Sequence, residues 1–145
     1  MILQPDFKEF IALLNSKSVE YLIVGGYAVG FHGRPRYTGD MDFWINNSPE
    51  NAQLIKESLD VFGFASFNIK ASEFEKENLV FQLGHEPVRI DILTTISGVD
   101  FKDCYRRKVS ALIDGVTIPF INIADLKINK ASTGRAKDLG DLESL

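Results

Sequence analysis

The chain is poor in the residues that staple or activate small proteins. Cys104 is its only cysteine, so no internal disulfide forms and a reducing cytoplasm is the expected setting. As a nucleophile Cys104 lacks support, because just two histidines are present and only one could serve as its base. A half-buried small residue is the expected role. His32 and His85 have no second His or Cys nearby and read as loop residues rather than metal ligands. Positive charge is also scarce: 16 Lys and Arg stand against 20 Asp and Glu, a net charge of -4. That excludes a general nucleic-acid coat, whose affinity comes from neutralising phosphates with excess cations. No apolar run approaches the ~18 residues a membrane helix needs. The first residues carry no basic stretch leading into an apolar one, so no signal peptide is expected. Neither the dinucleotide fingerprint G-x-G-x-x-G nor the Gly-Lys-Ser/Thr of the ATPase phosphate loop follows any strand.

What is present suits one α+β domain over residues 1–145. A chain of this length buries roughly two-thirds of the surface its unfolded form exposes. Hydrophobic residues make up 45% and charged residues 25%, and 11 Phe point to an aromatic core. Phe7, Phe10, Ile11 and Leu14 repeat at helical spacing, which predicts a helix over 5–17 with Pro5 and Asp6 in its first turn. Tyr21 to Val24 is wholly apolar and reads as a strand buried on both faces. Tyr27 to Phe31 begins a second helix, closed by Gly33. Met41 to Ile45 is a strand with Asp40 at its mouth. Ser48-Pro49-Glu50 opens a helix running to about Phe62, with Leu54, Ile55, Leu59 and Phe62 inward.

Leu79 to Leu83 and Val88 to Leu93 form a hairpin through Gly84-His85-Glu86-Pro87. Residues 100–108 fit either a helix or a surface loop. Val109 to Ile113 and Val116 to Ile118 flank Asp114-Gly115, a tight-turn dipeptide. Asn122 caps a helix carrying Leu126 and Lys130. Gly134 interrupts it, and a last amphipathic helix carries Leu139, Leu142 and Leu145.

Two features carry chemistry. Asp40 and Asp42 alternate along a strand, so both point to one face with Cα atoms about 6.6 Å apart. Two carboxylates converging there suit Mg²⁺, which prefers hard oxygens and keeps positions open for substrate phosphates. Left side by side without a cation they repel. Asp91 is an acid inside the apolar strand Val88 to Leu93. On a neighbouring strand about 4.8 Å away it completes a two-metal site, or it is a buried acid paired with Arg89. Gly25-Gly26 closes the first buried strand and opens a helix. There backbone amides and the helix dipole favour phosphate, although a plain strand-to-helix turn has the same sequence.

Val24-Gly25-Gly26-Tyr27-Ala28, Gly33, Asp40-Met41-Asp42 and Asp91, in that order, resemble the nucleotidyltransferase superfamily of DNA polymerase β and the small antibiotic nucleotidyltransferases. The stretch from Asn129-Lys130-Ala131 through Arg135 and Asp138 to Asp141-Leu142-Glu143 is similar to the tail of bacterial abortive-infection nucleotidyltransferase toxins. In those toxins a lysine and acids of the tail face the site.

The resemblance implies a nucleotidyltransferase fold: a central mixed sheet flanked by helices, with a C-terminal helical tail over about 122–145. It implies transfer of a nucleoside monophosphate from an NTP such as ATP to a hydroxyl of a tRNA, a protein or a small molecule. Two Mg²⁺ or Mn²⁺ ions are implied, one held by Asp40, Asp42 and Asp91 to activate the acceptor and one held mainly by Asp40 and Asp42 on the triphosphate. Asp91 doubles as the base. Gly25 and Gly26 cradle phosphate, with Lys130 and Arg36 as cationic contacts. Lys130 is equally readable as a solvated helix lysine, and Arg34 and Arg36 as loop charges. Arg135 and Asp138 read as a structural pair, and Arg106-Arg107-Lys108 as a solvated basic run.

A toxin with a cognate antitoxin is the implied biological frame. The chain departs from the superfamily where many members carry Ser at the position of Gly26. It also has no evident second domain for a primer or tRNA. The competing expectation is a non-catalytic nucleotide-binding or regulatory partner that keeps the fold. A metal phosphodiesterase is disfavoured, because its ligands normally include histidine.

Overall fold

A computed structural model describes residues 2–145. Helix α1 (Pro5–Ser16) buries Phe7, Phe10, Ile11 and Leu14, the face its periodicity marks out. Strand β1 (Tyr21–Val24) is buried at all four residues. It runs directly into α2 (Gly25–His32), which starts at the glycines rather than at Tyr27. Strand β2 (Asp40–Ile45) includes Asp40 as its first residue. Helix α3 (Pro49–Leu59) opens as the sequence indicates, with the Asn51 amide donating to Ser48 Oγ at 3.2 Å.

That helix ends at Leu59, short of Phe62, and the chain continues through a wider helical turn over Asp60–Phe64. Its buried face is Asn51, Ala52, Ile55, Ser58 and Leu59, with Leu54 and Phe62 only half-buried. After two short 3₁₀ turns come β3 (Val80–Leu83) and β4 (Arg89–Leu93). The ambiguous stretch near residue 100 resolves as α4 (Phe101–Arg106). Strands β5 (Val109–Ile113) and β6 (Val116–Phe120) pair across the Asp114-Gly115 turn, where both residues have positive φ. Helix α5 (Ile123–Thr133) is capped by Asn122, whose Oδ1 accepts the Asp125 amide at 2.8 Å. Helix α6 (Ala136–Glu143) follows the left-handed residue Gly134.

The six strands form one mixed sheet in the order β3-β4-β2-β1-β6-β5. β1 is antiparallel to β2 and parallel to β6, and β2 is parallel to β4. A parallel pair needs a crossover, here α3 and the turns after it between β2 and the β3–β4 hairpin. The architecture is α+β, with helices packed on a central sheet. No helix among the described residues is long and apolar enough to cross a membrane.

Phenylalanine fills the core, as its abundance suggests. The Phe10 and Phe43 rings meet edge to face at 5.1 Å, and Phe31 stacks on Phe120 at 4.0 Å. Geometry of this kind adds to plain area burial. Helix α6 runs against expectation: Leu139 is exposed, and the residues it buries are Asp138 and Asp141.

One buried polar side chain locks the start of α3 to the sheet. Asn51 accepts from the Glu20 amide at 2.8 Å and donates to the carbonyls of Glu20 and Asn46 at 3.0 and 2.7 Å. Truncation leaves the Glu20 amide and the Asn46 carbonyl unpaired, while the Glu20 carbonyl keeps the Asn46 amide at 3.2 Å. Asn51→Ala is therefore expected to destabilise the fold by about 2–4 kcal/mol, read from the midpoint of urea unfolding. A change under about 0.5 kcal/mol means that water replaces these bonds.

Candidate active site

The register of β2 and β4 sets Asp42 opposite Asp91 and Asp40 opposite Arg89. Asp40 and Asp42 lie two apart in one strand and share a face. The three acids therefore converge, and one oxygen from each lies within 4.8 Å of the others. Asp91 is 5% exposed, and Asp40 and Asp42 are half-buried. The Arg89 pairing is present as well. Arg89 Nε and Nη2 donate to the two Asp91 oxygens at 2.8 and 2.9 Å, and Nη2 lies 3.6 Å from Asp40 Oδ2. Both readings of Asp91 thus describe one arrangement, an acid in the cluster oriented by a guanidinium fork.

Gly25 is tied to the same cluster. Its φ is +66°, and a Cβ placed there would fall 1.9 Å from Asp42 Oδ2. Glycine is required on both counts, the left-handed backbone and the close carboxylate. Among the described residues no side chain caps the N-terminus of α2, so its first amides remain available beside the acids.

The opposite wall comes from the C-terminal helices. Lys130 is 6% exposed and is not a solvated helix lysine. Its Nζ donates to Asp138 Oδ1 at 2.8 Å and lies 3.3 Å from Asp141 Oδ2. Asp141 also accepts from Arg36 Nη1 at 2.5 Å. Arg135 Nε bonds Asp138 at 2.7 Å as a structural pair, but within the first turn of α6, and it is Lys130 and Thr133 that tie α5 to Asp138. A cleft of about 530 Å³ has Gly25, Gly26, Arg36, the three acids and Lys130 in its walls. All seven residues expected at the site therefore line one cavity. A second, more apolar cleft of about 570 Å³ lies beside it, sharing Gly26, Arg36 and Thr38.

Other charged residues serve the fold. Arg107 of the basic run forks onto Asp125, Arg106 bonds Asp103, and Lys108 sits over the Tyr105 ring. His32 Nε2 donates to the Ile121 carbonyl at 2.6 Å. Burial pushes the Cys104 thiol up to about 12, which leaves it inert as a nucleophile. Thr38, Thr95, Ser97 and Asn129 line the cleft without having been singled out in the sequence. Isolated hydroxyls and amides carry no signal of their own.

The cluster titrates abnormally. Burial, then the charges of Asp40 and Asp91, push the Asp42 carboxyl up to about 8, against a smaller lowering by Lys130. Burial also raises Asp91, opposed by its bonds to Arg89. For Asp138 the bonds from Lys130, Thr133 and Arg135 outweigh burial and hold the carboxyl down at about 2.

The family described as "Nucleotidyl transferase of unknown function (DUF2204)" matches residues 4–145. The crystal structure of a candidate nucleotidyltransferase from Thermotoga maritima is similar in fold, with a TM-score of 0.61 at 18% identity. That likeness covers 99% of this chain and 93% of the other. No curated protein matches the sequence.

The raised Asp42 pKa fixes a pH dependence. Between the ordinary 3.8 and about 8 the folded chain holds a proton that the unfolded chain has lost. Stability of the metal-free protein therefore falls as pH rises through that window. Asp42→Asn removes the penalty. The variant is expected to melt several degrees above wild type at pH 9 and level with it near pH 3.5, by thermal denaturation in EDTA. Equal melting at pH 9 means that Asp42 is not strained.

Proposed function

The chain belongs to the family of nucleotidyl transferases of unknown function, and from that premise we propose that it is a divalent-metal-dependent nucleotidyltransferase. It moves a nucleoside monophosphate from an NTP to an acceptor hydroxyl. The observation carrying this reading is the convergence of Asp40, Asp42 and Asp91 beside the Gly25 turn. A set of carboxylate oxygens suits Mg²⁺ or Mn²⁺ rather than a softer metal. These three residues would hold the ions, two by the resemblance, and the ions supply charge neutralisation at the reacting phosphates.

The chain's own groups do the rest. Amides at Gly25 and Gly26 take phosphate oxygens at the start of α2. Lys130 and Arg36 present cations to the same phosphates, held by Asp138 and Asp141 in the absence of substrate. Asp91, oriented by Arg89, accepts the proton of the acceptor hydroxyl. That oxygen bonds to the α-phosphorus, the bond from the α-phosphorus to its bridging oxygen breaks, and pyrophosphate leaves. The tail resembling the abortive-infection toxins extends the proposal to a cytoplasmic toxin restrained by a cognate antitoxin. Its acceptor would be a tRNA, a protein or a small molecule.

Incubating the protein with each labelled NTP and total tRNA, protein or small-molecule extract is expected to label one acceptor class. Asp42→Ala should lower that labelling at least about a hundredfold while keeping a folded circular-dichroism spectrum. Labelling at the wild-type rate overturns the mechanism.

Mg²⁺ or Mn²⁺ together with a non-hydrolysable NTP should raise the melting temperature by a few degrees at saturation. No shift overturns metal-dependent nucleotide binding. A shift without labelling of any acceptor favours the non-catalytic regulatory partner.

A further inference from the structure

The cleft is lined by two unlike kinds of group. Arg36, Lys130, Arg135 and the Gly25 turn supply phosphate donors from its facing walls. Leu93, Thr95, Ile96, Ser97 and Asn129 add an uncharged lining. A nucleoside triphosphate divides the same way, with its charge on one side of the α-phosphorus and a neutral sugar and base on the other.

Asn129 has one polar atom with no protein partner. It is 8% exposed, and its Nδ2 donates to the Ser97 carbonyl at 3.0 Å. A carbonyl only accepts, so the nitrogen must face Ser97 and Oδ1 must face the other way. No donor among the described residues reaches Oδ1. It is not sealed inside either, since Trp44 Nε1 is the only fully enclosed, unpaired side-chain nitrogen or oxygen among them. The atom therefore opens on the cleft as a fixed acceptor.

Its position is rigid. One turn further along α5, Ser132 packs against Gly98, where φ is +82° and a Cβ would fall 2.2 Å from Ser132 Oγ. The 97–98 turn and α5 are thus held together at two points. Asn129 also directly precedes Lys130, the cation whose charge acts on Asp42.

We infer that Asn129 Oδ1 accepts a hydrogen bond from a ribose hydroxyl of the nucleotide, so that the site selects nucleotides carrying the sugar hydroxyls over their 2′,3′-dideoxy counterparts. The inference rests on the nucleotidyl-transfer reading. Phosphate oxygens at neutral pH offer no donor to an amide oxygen. A sugar hydroxyl is a neutral donor and lies nearer the α-phosphorus than any base edge. Asn129 is in this sense a specificity residue.

The test measures equilibrium binding, with Mg²⁺ and no acceptor, of ATP, GTP, CTP and UTP against their 2′,3′-dideoxy counterparts. Wild type is expected to bind the ribonucleotide of a preferred base about three- to tenfold more tightly, the range of one neutral hydrogen bond. Asn129→Leu should bind the two forms equally, at the wild-type dideoxy affinity. The wild-type comparison needs no variant and stands if the leucine protein does not fold. Equal binding of both sugars by wild type, or a preference retained in Asn129→Leu, overturns the ribose contact alone. Wild type that binds neither nucleotide overturns the nucleotidyl-transfer reading and this inference with it.

Discussion

Mutual repulsion among three carboxylates is the constraint around which this protein is arranged. Unit charges within 4.8 Å of one another repel by at least about 3 kcal/mol at an effective dielectric of 20, and three such pairs meet here. The chain cannot relieve this by moving, because the parallel pairing of β2 with β4 puts Asp42 opposite Asp91 in the centre of the sheet. It compensates locally instead. Asp42 keeps its proton to about pH 8, Arg89 forks onto Asp91, and the charge of Lys130 acts across the cleft. Each is a partial substitute for a divalent cation. A structure built only for stability has no reason to bring these groups together, since apolar residues would pack there at lower cost.

The same electrostatics explain why the C-terminal helices belong to the site wall. A lysine as buried as Lys130 needs partners, and Asp138 and Asp141 supply them from α6. Asp141 serves a second cation, Arg36, from the loop between α2 and β2. The tail closes on that loop a second time at Gly33, where a Cβ would fall 2.3 Å from the Ser144 carbonyl oxygen. Loop and tail are thereby held together on the rim of the cleft. Under the proposed function an entering phosphate would share Arg36 and Lys130 with Asp138 and Asp141.

How far the sequence could be read follows from where each signal originates. Helix α1, strand β1 and the caps at Ser48 and Asn122 were legible because their determinants are local: a 3.6-residue apolar repeat, an apolar run, a side chain beside its own amide. Helix α2 is apolar on every side, so periodicity could not show that it begins at Gly25. Helix α6 is present where the sequence places it, but its buried face is not legible there, for the opposite reason. Its leucines mark an apolar stripe, yet the face turned inward is Asp138 and Asp141, whose partners lie as far as 105 residues away. Burial of charge depends on a counter-charge that the local pattern cannot display. Asn129 and Ser97 escaped notice likewise, since an amide fixed by a distant carbonyl looks in sequence like any helix asparagine.

The acid triad was legible because two of its members sit two residues apart and the third interrupts an apolar strand. What the sequence did not reveal is that the glycine turn and the acid pair are a single object. They stand 17 residues apart as separate motifs, each with a bland explanation. In the fold Val24 pairs with Asp42 across β1 and β2, so the residue after Val24 meets the Asp42 carboxylate directly. Only glycine can occupy that point, and the backbone it frees opens α2 with its amides toward the acids. The requirement runs both ways: the carboxylate demands the glycine, and the glycine brings an amide-lined, positive helix end next to three negative groups. That juxtaposition of helix-end amides with converging carboxylates is what the proposed metal-bound polyphosphate would need.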